Sequence, residues 1–227
     1  MKIGIDVGGT KCLGVAVDDS GKVVRQYRLP TPHADALCDT LVEIVAQLGE
    51  FNLIGIGVPG LISPEGVIRA SPNLVGAKEL ALRQMLEDRL GKKVLVENDA
   101  TCAALGEWRS GAAHGATDAW VITLGTGIGG GFISGSVLQR GAHGFAGEVG
   151  HMVVDPHGPL CPCGRNGCWE RYASGNGLSY LANGEKGEDV LSRAKAGAAD
   201  ALGVVDTFAK WVALGLVNLT NMTDPDV

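Results

Sequence analysis

Two glycine turns of the same build constrain this chain more than any other feature. Asp6-Val7-Gly8-Gly9-Thr10-Lys11 and Leu124-Gly125-Thr126-Gly127 each stand between short β-branched runs. Alternation over residues 2–7 and 12–17 predicts a strand, a tight turn and a returning strand. Residues 119–124 and 129–133 repeat that unit, with a third short strand over 136–139. The first copy continues further. A strand over 23–29 leads into a helix over 34–50, where Leu37, Leu41, Ile44, Val45 and Leu48 recur at helical spacing. A buried strand over 53–58 closes at Pro59-Gly60. A helix over 79–90 ends at Gly91, a strand spans 93–97, and a helix spans 99–109. Small polar residues over 111–117 mark a boundary. The pattern predicts two related α/β domains, 1–113 and 114–227, with a cleft between them. A last helix over 198–221 is apolar on nearly every side and is expected to be well buried.

Composition narrows the class. Glycine occupies 35 of 227 positions, about twice the usual share of about 7%, without a G-X-Y period. Apolar residues at 45% and charged residues at 19% describe a globular chain. A formal charge of −6 argues against a nucleic-acid partner. No apolar run is read as long enough to span a bilayer, and Asp6 interrupts any secretory signal, so the cytosol is the expected setting. In that reducing compartment six cysteines read as thiols or metal ligands. Cys12, Cys38 and Cys102 are expected as small core residues.

Four clusters carry chemistry. In the first turn, adjacent glycines let backbone N–H groups approach an anion, with Thr10 adding a hydroxyl and Lys11 a charge. Asp6 is placed to hold a phosphate-bound Mg²⁺; a plain hairpin with a glycine bulge is the competing reading. The P-loop spacing is absent. The second turn looks like a dinucleotide fingerprint, but a strand follows it where that fingerprint needs a helix. Two strand–turn–strand glycine loops together fit a nucleotide phosphate chain. Asn98-Asp99 ends a strand and opens a helix: Asn98 and Asp99 read as helix caps, or Asp99 as a base facing a hydroxyl, and both can hold at once. His151, Cys161, Cys163 and Cys168 supply one imidazole and three thiols, a closed tetrahedral set for a structural Zn²⁺. His33, His114, His143 and His157 are given no role.

In order, the Asp6–Lys11 turn, Glu97-Asn98-Asp99-Ala100, Leu124-Gly125-Thr126-Gly127, Glu148-Val149-Gly150-His151 and the stretch from Cys161 to Glu170 resemble the hallmarks of the ROK (repressor, open reading frame, kinase) sugar kinases. The resemblance runs from residue 2 to the last residue. Its cysteine-rich stretch is most similar to bacterial glucokinases. It implies an actin-like, ribonuclease-H-like fold, ATP-dependent hexose phosphorylation with Mg²⁺, and a zinc-stabilised sugar site. Asp99 is the implied general base, which suits a transfer that needs one late proton removal. Asn98, Glu148, His151 and Glu170 match sugar-contacting positions, and Asn73 is a further expected contact. Asp6, Gly8, Gly9, Thr10, Lys11, Gly125, Thr126 and Gly127 fall on the nucleotide side. Kinases for N-acetylmannosamine, N-acetylglucosamine or fructose share these motifs. The family's sugar-sensing repressors carry an additional DNA-binding helix-turn-helix, and a homodimer is the implied assembly. Asn221 to Val227 reads as the lead-in to a buried strand that family members continue into a turn flanking adenosine. Two readings compete, a naturally short form whose edge a partner covers and a C-terminally incomplete chain. The second is the expectation, a chain that retains zinc and most sugar ligands but binds ATP poorly and has little kinase activity alone.

Overall fold

The computed structural model describes residues 1–227, which gather into two compact units. The first comprises Met1–Ala103 with Arg140–Ala146, and the second Ala104–Gln139 with Gly147–Val227. The units part after Ala103 rather than after residue 113, and a later segment returns to the first of them.

In the first unit β1 (Lys2–Val7), β2 (Lys11–Val17) and β3 (Val23–Pro30) form an antiparallel meander. Then come α1 (Leu37–Leu48), β4 (Leu53–Val58), the short strands β5 (Leu61–Ile62), β6 (Ile68–Ala70) and β7 (Lys78–Leu80), α2 (Leu82–Leu90) and β8 (Val94–Asn98). The main sheet has the order β3-β2-β1-β4-β8, with β1, β4 and β8 parallel. Parallel neighbours need crossovers, and α1 and α2 supply them. Ile3, Ile5 and Val7 of β1 turn inward onto Leu41, Ile44 and Leu48 of α1, all buried. The approach is close: a side chain at Gly14 of β2 would overlap Ile44. The helix expected over 79–90 starts only at Leu82. Residues 78–80 are instead drawn into the small sheet β5-β6-β7, where Ile68 pairs with Leu80 and Ala70 with Lys78. That sheet was not anticipated, because strands of two or three residues carry no periodic signal.

α3 (Asp99–Ser110) begins in the first unit and ends in the second. In the second unit β9 (Ala119–Leu124), β10 (Ile128–Ser134) and β11 (Val137–Gln139) form an antiparallel sheet of order β11-β10-β9. The echo of the opening meander is therefore real at the level of topology. The helices α4 (Glu170–Ala173), α5 (Gly175–Leu181), α6 (Gly187–Lys195) and α7 (Ala199–Thr223) follow. Trp169, Ala173 and Leu219 pack with Ile128 and Val149 into one core, joined by Trp211 and Val212. Residues 226 and 227 lie along β9, where Asp226 N–H donates to the Asp118 carbonyl at 2.8 Å and Trp120 N–H to the Val227 carbonyl at 3.0 Å.

Three expectations need correction. α7 is not well buried: Ala201, Gly215 and Leu219 face inward, while Leu216, Val217 and Met222 are exposed. By length and composition α7 is also apolar enough to cross a membrane, with a mean hydropathy of 1.4 over its best window, so one such stretch does exist. Its Asp206–Lys210 ion pair at 2.6 Å and the packing of Trp211 and Leu219 on the second unit's core make it an element of this fold. Finally, Cys12 and Cys38 are buried as expected, but Cys102 is exposed as a residue, although its sulfur lies against Gly57 of β4.

Candidate active site and metal centre

The parallel strands β1, β4 and β8 end at one edge of the first unit's sheet, the edge where α/β sheets present ligand-binding groups. Asp6 pairs with Gly57 and Gly57 with Glu97 in register, so Asp6 and Asp99 emerge on the same side. Gly57 allows this crowding. A Cβ there would meet the Asp99 Cα at 3.4 Å and the Cys102 Sγ at 3.6 Å, so α3 can start directly over the strand.

Asp99 is half-buried. Burial pushes its carboxyl above the ordinary aspartate value, the Ala100 N–H that Oδ1 accepts at 2.9 Å pulls it down, and the Asp6 charge adds to the rise. At Asp6 the surrounding protein likewise raises the carboxyl, with Lys11 opposing. Burial, with the Glu97 and Asp99 charges, pushes the neighbouring Cys102 thiol up to about 11, so that thiol is neutral at ordinary pH. Asn98 is the N-cap in fact: Oδ1 accepts the Thr101 N–H at 2.9 Å and the Thr101 hydroxyl at 3.2 Å, while Nδ2 donates to the Gly60 carbonyl at 3.0 Å. One Nδ2 hydrogen is left for a ligand.

The first glycine turn closes through Gly8 N–H to the Lys11 carbonyl at 2.9 Å. Neither glycine has a positive φ; at Gly8 the turn uses the lack of bulk, whereas a Cβ on Gly9 would make only ordinary contact. A Cβ on Gly8 would lie 3.1 Å from the Lys11 carbonyl oxygen, and one on Gly9 would lie 3.9 Å from Asn73. Asn73 is thus exposed beside the turn. Thr31, which the sequence did not single out, pins the turn: its hydroxyl donates to the Gly8 carbonyl at 2.6 Å and its N–H to the Thr10 carbonyl at 3.1 Å. Arg140 was also missed. Its Nε donates to Glu97 Oε2 at 2.6 Å, next to Asn98-Asp99, across a sequence separation no motif reports.

In the second unit Gly125, Thr126 and Gly127 form the turn between β9 and β10, closed by Gly125 N–H to the Gly127 carbonyl at 3.0 Å. The side chains of His151, Cys161, Cys163 and Cys168 converge, with all four donor atoms within 4.8 Å of one another. A tetrahedral ion with Zn–S bonds of about 2.3 Å would hold its sulfurs about 3.8 Å apart. The Cys163–Cys168 sulfurs are 3.5 Å apart, and His151 Nδ1 is 3.7 Å from the Cys161 sulfur, so the donor set fits such an ion. The chain around it is a tight knuckle. Gly164 N–H donates to the Cys161 carbonyl at 2.9 Å, and Gly164 and Gly167 take φ of 90° and 62°, which favour glycine. Burial pushes the Cys161 and Cys168 thiols up. At Cys163 burial acts the same way, but the Arg165 N–H and the other two thiols outweigh it and hold that thiol below its usual value.

Two carboxylates flank the cluster. His151 turns Nδ1 toward the cysteines and Glu170 Oε1, 3.6 Å away, and Nε2 toward Glu148 Oε2, 3.9 Å away. The two ring nitrogens thus face different neighbours, as a residue serving both a metal and a hydroxyl requires. Tyr172 braces the knuckle by donating to Asp155 Oδ2 at 2.7 Å, and its ring stacks on Trp211 at 4.1 Å.

Comparison with known proteins shows the family. The profile of the ROK family matches residues 2–227. The chain is 35% identical to a glucokinase of Streptomyces coelicolor over 99% of its own length and 79% of that protein. It is 34% identical to an N-acetylmannosamine kinase of Escherichia coli over 98% of this chain and 79% of that one. A solved ROK glucokinase from Streptomyces griseus, in complex with glucose and AMPPNP, superposes with a TM-score of 0.87 at 35% identity, covering 99% of this chain and 80% of that one. The fold is that of the actin-like sugar kinases. This chain belongs to the ROK family.

Proposed function

We propose that the protein is an ATP-dependent hexose kinase that converts glucose to glucose 6-phosphate. The observation that carries this reading is Asp99: a half-buried carboxylate at the end of β8, oriented by the Ala100 N–H and raised toward neutrality. In this reading its second oxygen takes the proton of the sugar 6-hydroxyl as that oxygen bonds to the γ-phosphorus and ADP departs. Late proton removal by a positioned carboxylate is what a loose phosphoryl-transfer transition state asks for.

The remaining roles follow the same division as the sequence, residues 1–113 supplying the base and the first turn, 114–227 the second turn and the zinc loop. Asn73, Asn98, Glu148, His151 and Glu170 hold hydroxyls, so that analogues lacking one leave a polar group unpaired. The two turns, Asp6–Lys11 and Gly125-Thr126-Gly127, orient the phosphate chain through backbone N–H groups, with Lys11 adding charge. Mg²⁺, held near Asp6, would neutralise charge on the transferring phosphoryl group. Zn²⁺ on His151, Cys161, Cys163 and Cys168 would fix the loop between Glu148 and Glu170 and take no part in the chemistry. A cytosolic homodimer without nucleic-acid or membrane partners completes the reading; the net charge of −6 speaks against the nucleic-acid partner alone.

The 34% identity to an N-acetylmannosamine kinase favours a second reading in which the acceptor is another hexose. A coupled ADP-release assay over glucose, fructose, N-acetylglucosamine and N-acetylmannosamine separates the two. Glucose is expected to give the highest kcat/KM. A preference for another sugar overturns the glucose assignment, and no sugar-dependent ADP release from protein shown to bind ATP overturns the kinase itself.

A further inference from the structure

Glu170 is held between the cysteine cluster and the second glycine turn. Its Oε1 lies 3.2 Å from the Cys161 sulfur and 3.6 Å from His151 Nδ1. Its Oε2 points the other way. A Cβ built on Gly127 would come within 2.7 Å of that oxygen, nearer than real Cβ atoms approach a neighbour. Gly127 is not among the glycines with positive φ, so its backbone would accept alanine, and the carboxylate is what excludes a side chain. The turn is also fastened to the chain just after Glu170: Gly175 N–H donates to the Gly125 carbonyl at 2.8 Å and Asn176 N–H to the Thr126 carbonyl at 3.3 Å.

We propose that Gly127 is a positioning residue for Glu170, so that bulk in the nucleotide-side turn sets the affinity for sugar. The inference rests on the reading of Glu170 as a hexose ligand. Its physical basis is the asymmetry of the carboxylate's surroundings. A methyl at 127 cannot push Oε1 into the cluster of Cys161 and His151, so the whole carboxylate must rotate. Because it is the end of a flexible side chain, that rotation costs little stability while misaligning a charged acceptor for a sugar hydroxyl. A residue that served nucleotide alone would leave sugar binding untouched when no nucleotide is present.

The test is calorimetric titration of glucose, without nucleotide, into wild type, G127A, E170Q and the G127A/E170Q double variant, with melting temperatures alongside. Loss of a hydrogen bond to a charged group predicts that G127A weakens glucose binding by about ten- to a hundredfold. The double variant is expected to bind no more than about twofold more weakly than E170Q alone, since the methyl acts only through the carboxylate. A wild-type glucose affinity in G127A, an additive double variant, or a G127A protein that loses its melting transition each overturns the inference. Failure of the wild type to bind glucose would instead refute the glucose assignment, and failure to bind any of the four hexoses the hexose reading on which the inference stands.

Discussion

Gly215 offers the sharpest test of how α7 packs on the second unit's core. A glycine inside a helix costs about 1 kcal/mol relative to alanine, so propensity alone expects Gly215→Ala to stabilise. The structure expects the reverse. A methyl at 215 would overlap the six-membered ring of Trp169, which is fully buried. That ring has little room to retreat: its Nε1 donates to the Trp211 carbonyl at 2.7 Å, and Trp211 is itself stacked on Tyr172. Overpacking of this kind costs about 1–3 kcal/mol, and a strained indole hydrogen bond adds about 1 kcal/mol. Set against the propensity gain, the net loss is about 1–3 kcal/mol, a fall in Tm of about 2–12 °C for a chain this size. Gly203, in the same helix, supplies the control. It is exposed and a Cβ there meets nothing within 4 Å, so Gly203→Ala should raise Tm by about 2–4 °C. Scanning calorimetry of the two variants decides the matter. If Gly215→Ala melts at or above the wild type, the packing of α7 on Trp169 is not what excludes a side chain, and the reasoning fails.

Asp99→Asn should lower kcat by about 10²–10⁴-fold while glucose still binds; turnover near wild type would remove Asp99 as the base. Because burial raises this carboxyl in the folded protein, the acid limb of kcat/KM should lie above the ordinary aspartate range. The same sign makes folded wild type gain stability relative to Asp99→Asn as pH falls through that raised value, and an unchanged difference across the limb would contradict it. Metal analysis of protein prepared without chelator should find one zinc per chain, and Cys168→Ser should lose both the metal and glucose affinity; well under one equivalent in wild type sinks the centre. Thr31→Val removes the 2.6 Å bond to the Gly8 carbonyl and should cost about 1 kcal/mol and raise KM for ATP severalfold with glucose Kd unchanged. An unaltered KM for ATP would show that Thr31 does not shape the turn.

Much of this was legible in the sequence, for reasons that differ by element. β1, β2, α1, β4 and β8 announce themselves because each exposes one face, or neither, to solvent and so carries a clean period. The Cys161–Cys168 knuckle is legible because thiols and an imidazole at loop spacing have few other uses. What escaped is long-range or short. Thr31 acts on Gly8 through the fold, and Arg140 reaches Glu97 from a distant segment. The strands β5 to β7 and the helices α4 to α6 are too brief, or too broken by glycine, to build a period. α7 misled for a physical reason: apolar residues on every side predict burial, yet the structure covers chiefly the side bearing Ala201, Gly215 and Leu219. Of the two readings of Asn98-Asp99 in the sequence, the structure shows the capping one. Asn98 caps α3 with its oxygen and anchors Gly60 with its amide while standing beside Asp99.

The return of Arg140–Ala146 to the first unit has a consequence for how the chain is made. A ribosome delivers sequence in order, so the strands β1 to β8 emerge well before the segment that completes their unit. At about 5–20 residues per second, residues 104–146 take roughly two to nine seconds to follow. Throughout that interval Glu97 lacks the guanidinium of Arg140, and the Ile62 carbonyl lacks the close cover of Gly144. The edge that carries Asp99 therefore matures late, only after the second glycine turn has itself been synthesised. Nascent chains halted near residue 135 should present a folded sheet whose Asp99 edge is unfinished, and those halted well past residue 146 a finished one.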